Sequence, residues 1–325
     1  MSNYPVGTTV SKVHEFGLAE YGNKDAIIYY GRKITHQELD DSASKLAFQF
    51  EQMGVKEGVV VSIILPNIPQ IMIANLACYK LGAVTSLHNP RSSSRELEAQ
   101  FRECHPRLVV ALDSVIPKVA GFLSEAVPMV GCHISDFLPK ASQRWLFSVM
   151  KPKLFRKFEK GVIPFVDLLE AKGKMTDDRS CRESTMALLY TSGTTGKSKG
   201  VVIKHSNAVA GMEAFEERYV TGGPLVKGEE TLLGIYPMYH SAGFAAVQNF
   251  TLWFGWTMIL LPLPTADVIL GALKKYTVTC MTAVATIYAK LLGDKRFRKM
   301  DFSRIKGYFS GASPFPKKVI EGMTQ

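Results

Sequence analysis

The sequence predicts an α/β protein of two similar subdomains, each a mainly parallel sheet flanked by helices. Three observations carry this expectation. Apolar, β-rich runs alternate with helical patterns from 27 to 133 and again from 183 onward. Those runs are mainly apolar, as in strands covered on both faces. Between the two stretches, residues 136–182 break the rhythm with a segment that is basic and aromatic, then polar. The expected division is a first subdomain over 1–135, a connector over 136–182 and a second subdomain over 183–325.

The first run is IIYY (27–30). It leads to a helix over THQELDDSASKLAFQFEQMG (35–54), where Thr35 and Glu38 have capping-box spacing and Leu39, Leu46 and Phe50 recur at helical intervals. Gly54 suits the stop. Then come VVVSII (59–64), a helix through IMIANLACYKLG, the strand VTSL (84–87) and a helix over RELEAQFREC. LVVAL (108–112), a further helix and PMVG close this half. The second half runs MALLY, a glycine-rich loop, VVIKH, a helix near 207–218, TLLGIY (231–236), an apolar helix near 243–254 and TMILL (257–261). A helix near 266–275, TVTCM, a helix near 286–292 and KGYFSG (306–311) follow, and PKKVIEGMTQ reads as a helix cut short.

Composition narrows the function classes. With 46% hydrophobic and 21% charged residues the chain is ordinary for a globular protein, so wholesale disorder is excluded. A formal charge of +10 favours anionic partners such as nucleotides or acidic lipid surfaces. The five cysteines are scattered without a C-x-x-C pair, which argues against a disulfide framework or zinc site and for a reducing compartment. FTLWFGWTMILLPLP (250–264) is shorter than the roughly 18 to 20 apolar residues that cross a bilayer and ends in prolines, so a buried helix and strand are expected there. The N-terminus has no signal-peptide core, and a cytoplasmic location is expected.

The richest stretch is LLYTSGTTGKSKGVVIKH (188–205). Gly196, Lys197 and Ser198 match the end of a P-loop, but Thr191 stands where its first glycine belongs. The VVI run after Gly200 favours a strand over the helix that a P-loop opens. The loop is therefore read as joining two strands, holding phosphate through backbone N–H groups freed by Gly193 and Gly196, Ser/Thr hydroxyls and lysines.

YTSGTTGKSKGVV (190–202) resembles the signature of the adenylate-forming enzymes, which include acyl- and aryl-CoA ligases, luciferase-like enzymes and peptide adenylation domains. Ser198 replaces that pattern's usual proline, a change expected to loosen the loop slightly. LPNIPQ (65–70) and KLGAVTSLHNP (80–90) resemble the family's fold-marking turns, although His88 stands where a small apolar residue or leucine is more usual. His205 and Asn207 resemble its H-x-N, which caps the next helix. YPMYHSAGF (236–244) and CMTAVATIYAKLL (280–292) resemble segments at the acyl pocket, and GYFSGASPF (307–315) resembles the turn that lies against adenine.

The resemblance implies ATP bound with Mg2+, CoA as co-substrate and a small-molecule carboxylic acid. Thr191, Ser192, Gly193, Thr194, Thr195, Gly196 and Lys199 would hold the polyphosphate. Gly311, Ala312, Ser313 and Pro314 would lie at the nucleotide, and His240 would stand at the acid carboxylate. The family continues with Y-G-x-T-E, whose acid helps hold magnesium, then a ribose-gripping acid, a hinge and a lid carrying a lysine. None of these occurs here, so the expectation is a large N-terminal domain cut short at its C-terminus, not competent by itself, with no metal ligand of its own.

Residues 138–161 carry seven Lys/Arg against one acid, interleaved with aromatic and apolar residues, which suits either a solvated connector or peripheral contact with an anionic membrane. Together with the large apolar residues over 240–292, this tilts the reading towards a fatty acid. Other readings stay open: an aromatic acid, another acceptor, or a non-catalytic nucleotide- or membrane-binding fragment. Nucleic acid is disfavoured, because the basic residues fit no recognisable nucleic-acid-binding fold.

Overall fold

The computed structural model describes residues 4–5, 7–139, 158–191, 198–311 and 314–323. Their strands are β1 (Asp25–Tyr29), β2 (Arg32–Thr35), β3 (Val60–Ile64), β4 (Val84–Leu87), β5 (Leu108–Leu112), β6 (Met129–Cys132) and β7 (Val162–Pro164). β8 (Thr185–Tyr190), β9 (Gly200–Lys204), β10 (Thr231–Gly234), β11 (Thr257–Leu260), β12 (Cys280–Thr282) and β13 (Gly307–Phe309) follow. They form a seven-stranded sheet in the order β7-β6-β5-β3-β4-β8-β9 and a six-stranded sheet in the order β13-β12-β10-β11-β1-β2. Every pairing is parallel except the hairpins β1–β2 and β8–β9. The α/β class with mainly parallel sheets is the one expected.

The strand order differs from a simple split at 136–182. β1 and β2 edge the sheet made otherwise by residues 231–309, with Ile27 and Ile28 opposite Met258 and Ile259. β8 and β9 edge the sheet made otherwise by residues 60–164. Apolar runs announce strands, but the hydrogen-bond partner of an edge strand is a long-range choice that local pattern does not encode. The exchange interlocks the halves, so the glycine-rich loop is braced by the first half of the chain.

Local rules hold inside the elements. The helix His36–Gln52 starts on a complete capping box, in which Thr35 Oγ1 accepts from the Glu38 N–H and Glu38 accepts from the Thr35 N–H. Leu39, Leu46 and Phe50 on its inner face are fully buried. The helix Pro69–Leu81 is buried on every side, as expected of a helix apolar all round. Within it, Asn75 donates to Gln248 Oε1 (2.6 Å) and Gln248 donates to Tyr79 Oη (2.8 Å), a buried polar bridge to the second half of the chain in which Asn75 Oδ1 has no hydrogen-bond partner among the described residues. The greasy segment becomes the buried helix Phe250–Phe254 and strand β11. Among the described residues, no helix is long and apolar enough to cross a membrane. Most of the 138–161 segment lies outside the described residues.

Candidate active site

The glycine-rich loop grows out of the β8–β9 hairpin. Leu188, Leu189 and Tyr190 pair with Val202, Val201 and Gly200, and the Thr191 N–H donates to Lys199 O at 3.1 Å to close the neck. The strand resumes at Gly200, so the loop joins two strands, and the P-loop arrangement is excluded. Thr191 and Lys199 are exposed at the neck, and Lys199 has no ion pair among the described residues. Ser192, Gly193, Thr194, Thr195 and Gly196 lie outside the described residues. Ser198, expected to loosen the loop, makes a contact across its neck: Ser198 Oγ donates to Thr191 O at 2.7 Å.

A second group follows β10. Asn67, in the turn after β3, is 4% exposed and reaches into the other sheet. It donates to Tyr236 O (2.9 Å) and Gly234 O (3.3 Å) and accepts from the Met238 N–H (2.9 Å). The chain beyond Met238 thus leaves the sheet on a fixed path to His240. His240 is exposed and caps the short helix Ser241–Gly243, its Nδ1 accepting from the Ala242 N–H at 3.4 Å. That contact turns Nδ1 to the helix and leaves Nε2 for a ligand. Gly243 is required here, since a Cβ would fall 2.0 Å from Pro237 O.

Tyr236 joins three of the segments singled out from sequence. Its hydroxyl donates to Ala283 O (2.8 Å) and accepts from the Gly311 N–H (2.7 Å). Gly311 begins the turn expected at adenine, and Ser310 Oγ beside it is buried with no hydrogen-bond partner among the described residues. Pro314 is exposed, and Ala312 and Ser313 lie outside the described residues. Tyr288 adds a parallel tie, its hydroxyl donating to Met281 O (2.9 Å) and Phe309 O (3.2 Å). Beside the end of β13, the Phe309 ring packs 5.4 Å from Phe215 and 5.7 Å from Tyr219.

Thr191, Asn67, the Tyr236–His240 stretch and Gly311 all follow the carboxyl ends of strands in the two sheets. Open parallel sheets bind ligands at that edge, where backbone groups are free of the ladder. The sequence reading marked Asn67 only as part of a turn and did not single out Tyr236 or Tyr288. Asn207 behaves as expected, its Oδ1 accepting from the Lys204 N–H at 2.9 Å. Its neighbour His205 is buried, and burial pushes its pKa down to about 4. Among the described residues, no group of three or more His, Cys, Asp or Glu side chains is placed to hold a metal ion.

The AMP-binding enzyme family matches residues 15–325. The chain belongs to that family. It is 30% identical over 318 residues to the long-chain-fatty-acid–CoA ligase of Bacillus subtilis (strain 168), a match covering 96% of this chain and 56% of that protein. It is 27% identical over 297 residues to the peroxisomal OPC-8:0-CoA ligase 1 of Arabidopsis thaliana, covering 91% of this chain and 50% of that protein. The chain thus spans about half the length of these relatives. Among solved structures, the anthranilate CoA ligase AuaEII in complex with anthranoyl-AMP superposes with a TM-score of 0.84 at 19% identity. That match covers 100% of this chain and 59% of the other, and at this identity it establishes the fold alone.

Proposed function

We propose that the protein activates a carboxylic acid, a fatty acid by preference, with ATP and passes the acyl group to CoA. The observation that carries the reading is the strand-to-strand loop at the carboxyl edge of the sheet, whose neck exposes Thr191 and Lys199, a lysine with no ion pair among the described residues. A loop of this build offers amides, hydroxyls and a cation to polyphosphate without a helix dipole. The residues present fit a nucleotide: Lys199 supplies a charge with no ion pair among the described residues, and the Ser310 hydroxyl beside Gly311, buried and without a partner among them, supplies a hydrogen-bonding group. Magnesium held mainly by substrate phosphates and water needs no protein cage, so the lack of a metal cluster among the described residues is no obstacle.

In the first step a carboxylate oxygen attacks the α-phosphorus of ATP, the bond to pyrophosphate breaks, and a mixed anhydride with AMP forms. In the second a thiol sulfur attacks the acyl carbon, AMP leaves with the former carboxylate oxygen, and the thiol proton passes to solvent. Lys199 and the loop donors would take up charge on the polyphosphate as it develops. His240 would turn its Nε2 towards the acid carboxylate, held there by the fixed path from Asn67. Fatty-acid preference rests on the long-chain-fatty-acid–CoA ligase of Bacillus subtilis among the relatives and on the apolar residues over 240–292. Peripheral contact of 138–161 with an anionic membrane belongs to the same proposal. The test is ATP- and CoA-dependent thioester formation from a panel of fatty and aromatic acids by the full-length protein. Fatty acyl-CoA is the expected product; AMP-forming turnover with aromatic acids alone would overturn the preference, and no turnover with any acid would overturn the reading.

A further inference from the structure

Two residues at which the sequence departs from the family pattern, His88 and Ser198, lie far apart in the chain yet belong to one hydrogen-bond chain. His88 is 1% exposed, at the end of β4, and its Nδ1 lies 2.7 Å from Gln100 Oε1. Gln100 Nε2 donates to Ser198 Oγ at 3.4 Å, and Ser198 Oγ donates to Thr191 O at 2.7 Å. The donors can be assigned along the whole path. With Gln100 spending its amide on Ser198, its oxygen faces His88, whose Nδ1 must carry the hydrogen. His88 Nε2 is then the acceptor, its one lone pair taken by one of the Ser62 and Ser86 hydroxyls, each 3.0 Å away. The imidazole stays neutral, because burial pushes its pKa down to about 4.

The same helix, Ser94–Cys104, grips both strands of the hairpin. The Tyr190 hydroxyl donates to Gln100 O at 3.2 Å, and Glu103 Oε1 accepts from the Gly200 N–H at 3.1 Å. The His88 ring stacks on Tyr190 with centroids 5.1 Å apart. A proline at 198 would stiffen the neck through its ring and offer no hydroxyl. Here the two rims of the neck, Thr191 and Ser198, are joined by a side chain that is itself held from the sheet interior.

We infer that His88, Gln100 and Ser198 are positioning residues, which set the register of the loop neck from within the sheet so that Thr191 and Lys199 meet polyphosphate preformed. The inference rests on the nucleotide reading above. Satisfied buried networks of this kind rigidify what they touch, and a preformed site spends less binding energy on ordering.

The test uses Ser198→Ala, Gln100→Leu, the pair together, and Ser198→Thr, which keeps the hydroxyl. Ser198 is half-exposed at the neck, so its alanine variant carries the test even if Gln100→Leu folds poorly. The first readout is hydrogen exchange at the Thr191 amide without nucleotide, which should quicken in Ser198→Ala and recover in Ser198→Thr. The second is Mg-ATP affinity, with KM for ATP and for the acid measured separately in the full-length protein. Ser198→Ala and Gln100→Leu should each weaken ATP by about twofold to tenfold, the worth of one hydrogen bond, with the acid KM unchanged, and Ser198→Thr should stay near the parent. The double variant should be no worse than the worse single one. Additive losses, equal losses for ATP and acid, or unchanged exchange at Thr191 would overturn the relay while leaving the nucleotide reading standing. Parent protein that ignores ATP would sink both.

Discussion

Asn67→Ala removes the side chain that joins the two sheets at the root of the His240 segment. Asn67 makes contacts of 2.9 Å to Tyr236 O and Met238 N and one of 3.3 Å to Gly234 O. The site is 4% exposed, so water does not replace the lost partners freely. A buried backbone group left unpaired costs about 1–3 kcal/mol, and the Tyr236 carbonyl and Met238 N–H lose their 2.9 Å partner while the Gly234 carbonyl loses its longer contact, the asparagine's own buried polar atoms being removed as well. The net loss expected is about 2–4 kcal/mol, near the upper range for single substitutions. Urea unfolding followed by near-UV and far-UV circular dichroism measures it, with hydrogen exchange at the Met238 amide as the local readout. Asn67→Asp keeps the acceptor for Met238 and loses the donors, so Met238 should stay protected although stability falls. A loss within about 0.5 kcal/mol for Asn67→Ala, the range of an inconsequential surface change, would refute the reasoning.

Tyr236→Phe deletes the hydroxyl between Ala283 and Gly311 while keeping the ring. It should cost about 1–3 kcal/mol in urea unfolding and weaken ATP more than the acid, because the Gly311 N–H loses its partner. Burial holds His36, His88 and His205 at about 3, 4 and 4. All three are depressed below the unfolded value of 6.5, so the unfolded chain binds more protons and stability falls as pH drops from about 6.5 towards 4. His205→Phe removes a ring whose two nitrogens have no hydrogen-bond partner among the described residues and should flatten part of that fall in a pH series of urea midpoints. An unchanged slope would remove His205 from the account. Neutralising Arg144, Lys151, Lys153, Arg156 and Lys157 together should reduce co-sedimentation with anionic liposomes, and unchanged pelleting would dismiss the membrane contact.

Much of the local structure was legible because it follows from neighbours in sequence. The Thr35–Glu38 box, VTSL and LVVAL as strands, and the helix over 266–275 all rest on spacing and apolar pattern. β2 escaped because RKIT is a short edge strand whose Arg32 and Lys33 face solvent, and β7 because it is three residues ending in Pro164. The placement of β1 beside β11 was beyond reach, since Ile27 carries no mark of pairing with Met258. The site divided the same way. The loop residues and His240 stood out by motif, whereas Tyr236 owes its role to partners at Ala283 and Gly311, and Asn67 to partners beyond residue 230. Ser198 read as a small loss from a pattern because Gln100, its partner from the neighbouring helix, is absent from any local window.

The account stands most directly on where nucleotide touches the chain. Backbone amide shifts during a Mg-ATP titration, repeated with Lys199→Ala, measure this. The account predicts saturable shifts concentrated over 190–200 and around Gly311, with affinity falling at least about tenfold in the variant and the remaining spectrum unchanged. Saturable binding that leaves 190–200 undisturbed, or that is indifferent to loss of the lysine, would contradict it.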